Sequence, residues 1–266
     1  MSVIESTKIK KFGTMAGVFT PTFLTILGVI MYIRLPWVVG NAGIIGACLI
    51  ILVAVAITIT TALSLSSITT NIRIGSGGAF SLISQSLGLE IGGAIGIPFF
   101  FSQAIAVAMY IFGFREGLQS ILPGYSPLLL DLLIFTLVMA IAFISTSFAF
   151  KIQYVIMAII ILSIFSIVGG LFITDLNYEF TWLGDYAGSK ENNFGGSSFW
   201  LVFAVFFPAV TGVMAGANMS GDLKNPRKSI PNGTLSAVVI TTVVYLGMVV
   251  VAALLASPKD LVSNYN

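Results

Sequence analysis

The chain has 266 residues, of which 57% are hydrophobic and only 8% charged; it holds no histidine and carries a formal net charge of +2. That composition excludes an ordinary soluble domain and describes a chain that lives in a bilayer, with the lipid as its first partner. The near-neutral balance shows no basic stripe and excludes nucleic acid as a partner, and the single cysteine, Cys48 in an apolar run, gives no disulfide or metal framework. In chain order, residues 1–13 form a tail with Lys8, Lys10 and Lys11 just ahead of the first apolar run, which places the N-terminus in the cytoplasm. That run has the basic flank of a signal peptide but no small-x-small cleavage site, so it reads as a retained helix.

About seven spans follow, each near the roughly 20 residues a bilayer requires. Their approximate limits are 14–40, 42–71, 92–119, 127–147, 150–174, 196–222 and 232–256. Alternation from a cytoplasmic start leaves Arg73, Lys151, Lys224, Arg227 and Lys228 inside, and Asp175, Glu179, Asp185 and Glu191 outside. That agreement requires an even number of spans before Lys224, and six satisfies it.

The first span contains Pro21 and Gly28, in the run Phe19 to Ile30. The second is rich in hydroxyls from Thr58 to Thr70, which suit close helix approach and bonds to the helix's own carbonyls. The link Ile74 to Phe80 has the glycines of a phosphate loop but neither the preceding strand nor the following Lys-Ser/Thr, so it reads as a cytoplasmic link into span three that is re-entrant or turns tightly. Span three holds Tyr110 among apolar neighbours, where its hydroxyl needs a partner, and ends at Arg115 and Glu116, read as an interfacial pair. Arg34 and Asp131 also fall at outer ends.

Span six is built to stop halfway. Pro208 has no N–H and crowds the carbonyl four residues earlier, so carbonyls near Ala204 become free acceptors. Gly212 and Gly216 let the backbone leave and re-enter helical geometry, so the amides of Gly212, Val213 and Met214 would open a second half-helix as free donors. Bare backbone groups in hydrocarbon cost roughly 2–7 kcal/mol each, so such a break survives where it lines a polar cavity. Ile26-Leu27-Gly28-Val29-Ile30 repeats the pattern of Val210-Thr211-Gly212-Val213-Met214, each with a proline upstream. Two Gly/Pro-interrupted spans at matching places in two halves are the sequence pointer to an inverted-repeat transporter. The fold expected is therefore an all-α polytopic membrane protein, a partial five-plus-five inverted repeat of the leucine-transporter type with helices 1 and 6 broken. Its parts are the tail 1–13, a first repeat 14–174, an extracellular loop 175–195 and the start of a second repeat 196–266.

Between the interfaces no clear Asp, Glu, Lys, Arg or His is found. A cation held by carbonyls alone would be poorly balanced, whereas the amides a few residues on would hold an anion beside it. A salt or a zwitterionic amino acid both satisfy that pattern.

Gly28-Val29-Ile30-Met31-Tyr32-Ile33-Arg34-Leu35-Pro36-Trp37, Gly77-Gly78-Ala79-Phe80, Ala106 to Tyr110, and Phe206-Phe207-Pro208 through Gly216-Ala217-Asn218-Met219-Ser220-Gly221-Asp222-Leu223 resemble the cation-chloride cotransporters, within the amino acid, polyamine and organocation superfamily. The resemblance covers nearly the whole chain. It implies a potassium site at Thr25, Ile26, Tyr110, Pro208 and Thr211. It implies one chloride at the amides of Gly28, Val29 and Ile30, and another at those of Gly212, Val213 and Met214. The family usually has Asn where Thr25 stands, and its second chloride also touches a tyrosine on a later span. Its sodium site draws on span eight, so sodium dependence stays undetermined.

The function expected is electroneutral symport of a monovalent cation, potassium with or without sodium, with chloride by alternating access in the cell membrane, not an enzyme activity. No cofactor is expected beyond the transported potassium and chloride. An amino acid or polyamine permease of the same fold is the alternative, and a non-transporting membrane scaffold a third reading. The family has twelve spans, so the chain is expected to be an N-terminal portion of a longer transporter, inactive in flux alone, with a homodimer among the assemblies open to the full-length protein.

Overall fold

The computed structural model describes residues 11–72, 77–144, 146–173, 176, 180–188 and 198–263. Lys8, Lys10, Arg73, Asp175, Glu179 and Glu191 lie outside the described residues. A π-helical turn, Met15–Phe19, leads into α1 (Thr20–Ile26), which stops and restarts as α2 (Val29–Asn71). There follow α3 (Gly78–Leu87), α4 (Leu89–Ile121), α5 (Pro127–Ile144) and α6 (Thr146–Gly170). Then come α7 (Phe199–Phe206) with the 3-10 turn Phe207–Val210, α8 (Ala215–Asn218), the 3-10 turn Ser220–Asp222, α9 (Pro226–Leu255) and α10 (Pro258–Ser263).

Five helical stretches are long and apolar enough to cross a membrane, and the first of them, Met15–Asn71, folds back on itself. The fold-back lies at Gly43, where φ is +69° and ψ is −179°, so one apolar stretch makes two passes. With the shorter Pro127–Phe143 the expected seven passes are accounted for. Of the two forms expected for the Gly77–Gly78 link into span three, re-entrant or tightly turning, the tight turn is not found: the link carries the short helix α3. Both glycines have positive φ, and a Cβ on Gly78 would stand 2.9 Å from Asn218 Cα, so α3 starts against the end of α8.

A kink in a membrane helix strips backbone groups of their partners, and an extended segment supplies them here. The amides of Ile44 and Ile45 donate to the Thr181 and Trp182 carbonyls at 3.0 and 2.9 Å, and those of Gly184 and Tyr186 donate to Ala42 and Asn41 at 2.9 and 3.1 Å. Asn41 Oδ1 accepts from the Gly188 amide at 3.0 Å. The segment after span five therefore lies on the same side as the turn after span one. Leu261 and Val262 of α10 pack on Gly40 at that side too. At the opposite end Phe12 exchanges hydrogen bonds with the segment after span six, its amide donating to Asp222 at 2.7 Å and its carbonyl accepting from Lys224 at 2.8 Å. Six passes separate those two segments, the even number the charges require.

The buried core lies among α1, α2, α7 and α9. Small residues set its spacing. Val18, fully buried, fits between Gly216 and Gly233, on each of which a Cβ would come within 2.7 Å of it. Thr14 donates to Ser229 at 3.0 Å, so the π-helical turn leading into α1 runs parallel to α9, with Thr14 beside Ser229 and Val18 beside Gly233. By contrast α4, α5 and α6 leave large apolar side chains outward, Phe100, Ile105, Leu128, Leu162 and Phe165 among them, the surface a lipid-facing helix presents.

Replacing Gly43 with Val would force a branched side chain into positive φ, which costs about 1–3 kcal/mol before any clash. Its Cβ would also meet Gly184 N, Thr181 O and Leu183 C at 2.7–2.9 Å. Thermal unfolding in detergent should begin several degrees lower, and amide exchange should accelerate at Ile44 and Ile45. Gly247→Val, at a position with nothing within 4 Å, should change neither.

Candidate functional site

The first break falls where α1 ends. Leu27 leaves helical geometry at ψ +35° and Gly28 is extended, with φ −78° and ψ −169°. Leu27's amide still reaches Phe23 O at 2.9 Å, but the carbonyls of Leu24, Thr25 and Ile26 lose their usual i+4 acceptor role. Across the break α2 begins with no side-chain cap, and its Met31 amide is taken up by Gly28 O at 3.1 Å. The amides of Val29 and Ile30, in a helix's first turn, have no carbonyl four residues back in helical register. Acceptors ending at Ile26 and donors beginning at Val29 thus stand with only Leu27 and Gly28 between them in an apolar stretch.

The second break repeats this with different pieces. After Phe206 the helix tightens into the 3-10 turn Phe207–Val210, and Thr211 turns extended at ψ 173°. Gly212 takes φ +105°, a region side chains disfavour. The chain re-enters helix only at Ala215, and α8 is a single turn followed by the 3-10 turn Ser220–Asp222. This differs from the expected half-helix opening at Gly212. Gly216 must meet Val18 closely, and Asn218 must meet Gly78, so the chain bends again rather than extending.

The two breaks face each other directly. A Cβ on Gly212 would stand 2.3 Å from Thr25 Cγ2 and 2.8 Å from Thr25 Cβ, so only glycine admits this approach. Thr25 turns its methyl to Gly212 and its hydroxyl back onto its own helix, donating to Pro21 O at 2.6 Å. Its carbonyl remains at the break, close to Gly28. Thr211 likewise donates to Pro208 O at 2.7 Å and keeps its oxygen lone pairs.

The structure thus brings Thr25, Ile26, Gly28, Val29, Ile30, Pro208, Thr211, Gly212, Val213 and Met214 into one region between two half-helices. Tyr110 joins from α4. That helix crosses the first turn of α2 at Gly113, where a Cβ would lie 2.9 Å from Val29 Cγ1, and Tyr110 is one turn earlier on the same face. It is half-buried and packs on the same core.

Two residues were not anticipated in this region. Tyr245 of α9 is fully buried, and its hydroxyl lies 2.7 Å from Ile26 O and 3.3 Å from Ala209 O. Its ring stands edge-on to Phe206 with centroids 5.4 Å apart. Thr58 of α2 lies 3.1 Å from Ala54 O and 3.2 Å from Val210 O. The signal for Tyr245 was present, since a tyrosine midway through an apolar span must find an acceptor. Thr58 was hidden among the many hydroxyls of its span.

At one end of the bundle charges pair across helices. Arg34 meets Glu116 through two bonds of 3.2 and 3.0 Å, and Arg115 meets Asp131 at 2.9 Å. Arg115 and Glu116 therefore do not pair with each other, because successive helical residues point about 100° apart. The first pair ties α2 to α4 and the second ties α4 to α5. No charged residue occurs in 18–33 or 199–221, the stretches that carry the breaks.

Two interrupted apolar helices facing each other inside a multi-pass apolar bundle define a class of polytopic membrane protein. The chain belongs to the amino acid permease family, whose family model, described as Amino acid permease, matches residues 17–264. It is 40% identical over 264 residues to solute carrier family 12 member 2 of Danio rerio, covering 94% of this chain and 23% of that protein. It is 42% identical over 261 residues to the Homo sapiens protein of that name, covering 92% of this chain and 22% of that one. To solute carrier family 12 member 1 of Mus musculus it is 38% identical over 265 residues, 94% of this chain and 24% of the relative. The chain thus spans under a quarter of the length of these relatives.

Gly212→Ala should push the two breaks apart and lower the thermal midpoint in detergent. Adding Thr25→Ser, which removes the nearer carbon and keeps the hydroxyl bonded to Pro21, should restore part of the loss. A double-mutant cycle of midpoints measures this coupling, which strict additivity would contradict.

Proposed function

We propose that the chain forms the ion-binding core of a secondary active transporter that carries monovalent cations, potassium with or without sodium, together with an equal number of chlorides, electroneutrally and by alternating access. The observation that carries this reading is the facing pair of breaks. Carbonyls of one helix end, amides of the next helix start, and no fixed charge stand within one crossing, so a cation and an anion each neutralise what the other leaves. The cation would take oxygens of Thr25, Ile26, Pro208, Thr211 and Tyr110. Chloride would take amides of Gly28, Val29 and Ile30, and a second chloride those of Gly212, Val213 and Met214. Among the described residues no hydrogen bond is made by the Tyr110 hydroxyl, which keeps its oxygen available. The solute carrier relatives and the resemblance to cation-chloride cotransporters support the same reading.

Alternating access would move the tightly packed unit of α1, α2, α7, α8 and α9 against α4, α5 and α6. The Arg34–Glu116 pair joins the two groups at one end and has to open when that end does. Lys224, Arg227 and Lys228 are exposed at the opposite end, beside Phe12, so that end is the cytoplasmic one by the positive-inside rule. The family description favours a second reading, an amino acid whose carboxylate would occupy the amides.

Thermal unfolding of the purified chain separates the two. Potassium chloride should raise the midpoint more than potassium gluconate and choline chloride do together, because each ion binds better with the other present. Tyr110→Phe should weaken the potassium response by about tenfold in concentration, the loss of one ligand oxygen worth about 1.4 kcal/mol. A midpoint raised by an amino acid and indifferent to potassium chloride would overturn the salt reading in favour of the amino acid one.

A further inference from the structure

Tyr245 has no use for its proton except the breaks. The space around its hydroxyl, lined by Ile26, Val55, Thr58, Val210, Thr241 and Thr242, is too small for a water molecule. Thr241 and Thr242 spend their own protons on α9 carbonyls, at Ala237 and Val238. The single tyrosine proton faces two carbonyls, Ile26 O at 2.7 Å and Ala209 O at 3.3 Å, one from each break. The shorter contact is a full hydrogen bond and the longer one lies at the edge of bonding range. A carbonyl oxygen has two lone pairs, so Ile26 O can accept from Tyr245 and still face a cation.

We infer that Tyr245 is a positioning residue for the cation: its hydroxyl, set behind the two breaks, aims the Ile26 carbonyl and keeps it in register with the Pro208–Ala209 turn. This rests on the cation site proposed above and extends it to a residue that does not touch the ion. The hydroxyl fixes the separation of two oxygen-bearing half-sites, and the size of cation that fits between them follows from that separation. Without it the Ile26 carbonyl is free to swing, and the site loses its preference before it loses its fold. The ring contact with Phe206 survives in a phenylalanine, so the packing role and the hydroxyl role can be separated.

The test is a cation series, lithium to caesium as chloride salts, read by thermal stabilisation of the wild-type chain, Tyr245→Phe and Phe206→Leu. Tyr245→Phe should need about tenfold more potassium for half its effect and should flatten the ratio between potassium and its neighbours in the series. Phe206→Leu, which keeps the hydroxyl and loses the ring contact, should lower the midpoint without salt and leave the series order and ratios as in wild type. A wild-type response with an unchanged series in Tyr245→Phe would overturn the positioning role alone. So would a series flattened equally by Phe206→Leu, which would make Tyr245 a packing residue. A wild-type chain indifferent to every cation would overturn the site reading itself and the positioning role with it.

Discussion

A peptide group cannot be left bare in hydrocarbon, and the architecture answers that one constraint at three places. At Gly43 a helix turns back on itself, and the extended segment 181–188 takes up the amides and carbonyls released there. At Leu27–Gly28 and Thr211–Met214 no comparable segment intervenes. The loose carbonyls and amides of those two breaks are brought toward each other, with one tyrosine hydroxyl reaching a carbonyl of each. The first solution closes a turn, while the other leaves polar backbone facing polar backbone in the middle of an apolar bundle. Since each unsatisfied group costs several kcal/mol at such depth, the second arrangement is stable where something polar completes it.

Close approach makes that arrangement possible, and glycine makes the approach possible. Gly212 has room for nothing larger against Thr25, Gly216 and Gly233 grip Val18 from two helices, and Gly78 abuts Asn218. These contacts join α1, α8 and α9 into one tightly packed unit, with α7 held through its turn to α2 by Thr58. The helices α4 to α6 meet that unit more loosely and keep broad apolar faces outward. A division into one densely packed group and one lighter group is what a rocking transporter requires, since the group that moves must hold its own shape.

Much of this was readable in the residues. Proline followed by glycine in two apolar spans announced both breaks, and the basic clusters announced an even number of passes before Lys224. The turn at Gly43 lies two residues beyond the division made at residue 41 between the first two spans. Other features were not readable, for physical reasons. The second half-helix is a single turn because of close contacts at Val18 and Gly78, residues far away in sequence. Arg115 and Glu116 looked like partners because they are neighbours in the chain, whereas helical geometry sends them to Asp131 and Arg34. The hydroxyl of Thr25 turns to Pro21 so that its methyl can meet Gly212, an orientation that only the facing break explains.

The proposed site holds potassium and chloride side by side on backbone dipoles, each supplying countercharge the other lacks. Calorimetric titration measures that claim most directly, with chloride affinity determined with and without saturating potassium, and potassium affinity with and without saturating chloride. The two ratios must be equal if the sites are linked, and the account predicts a common factor well above one. Affinities for each ion that ignore the presence of the other would contradict it.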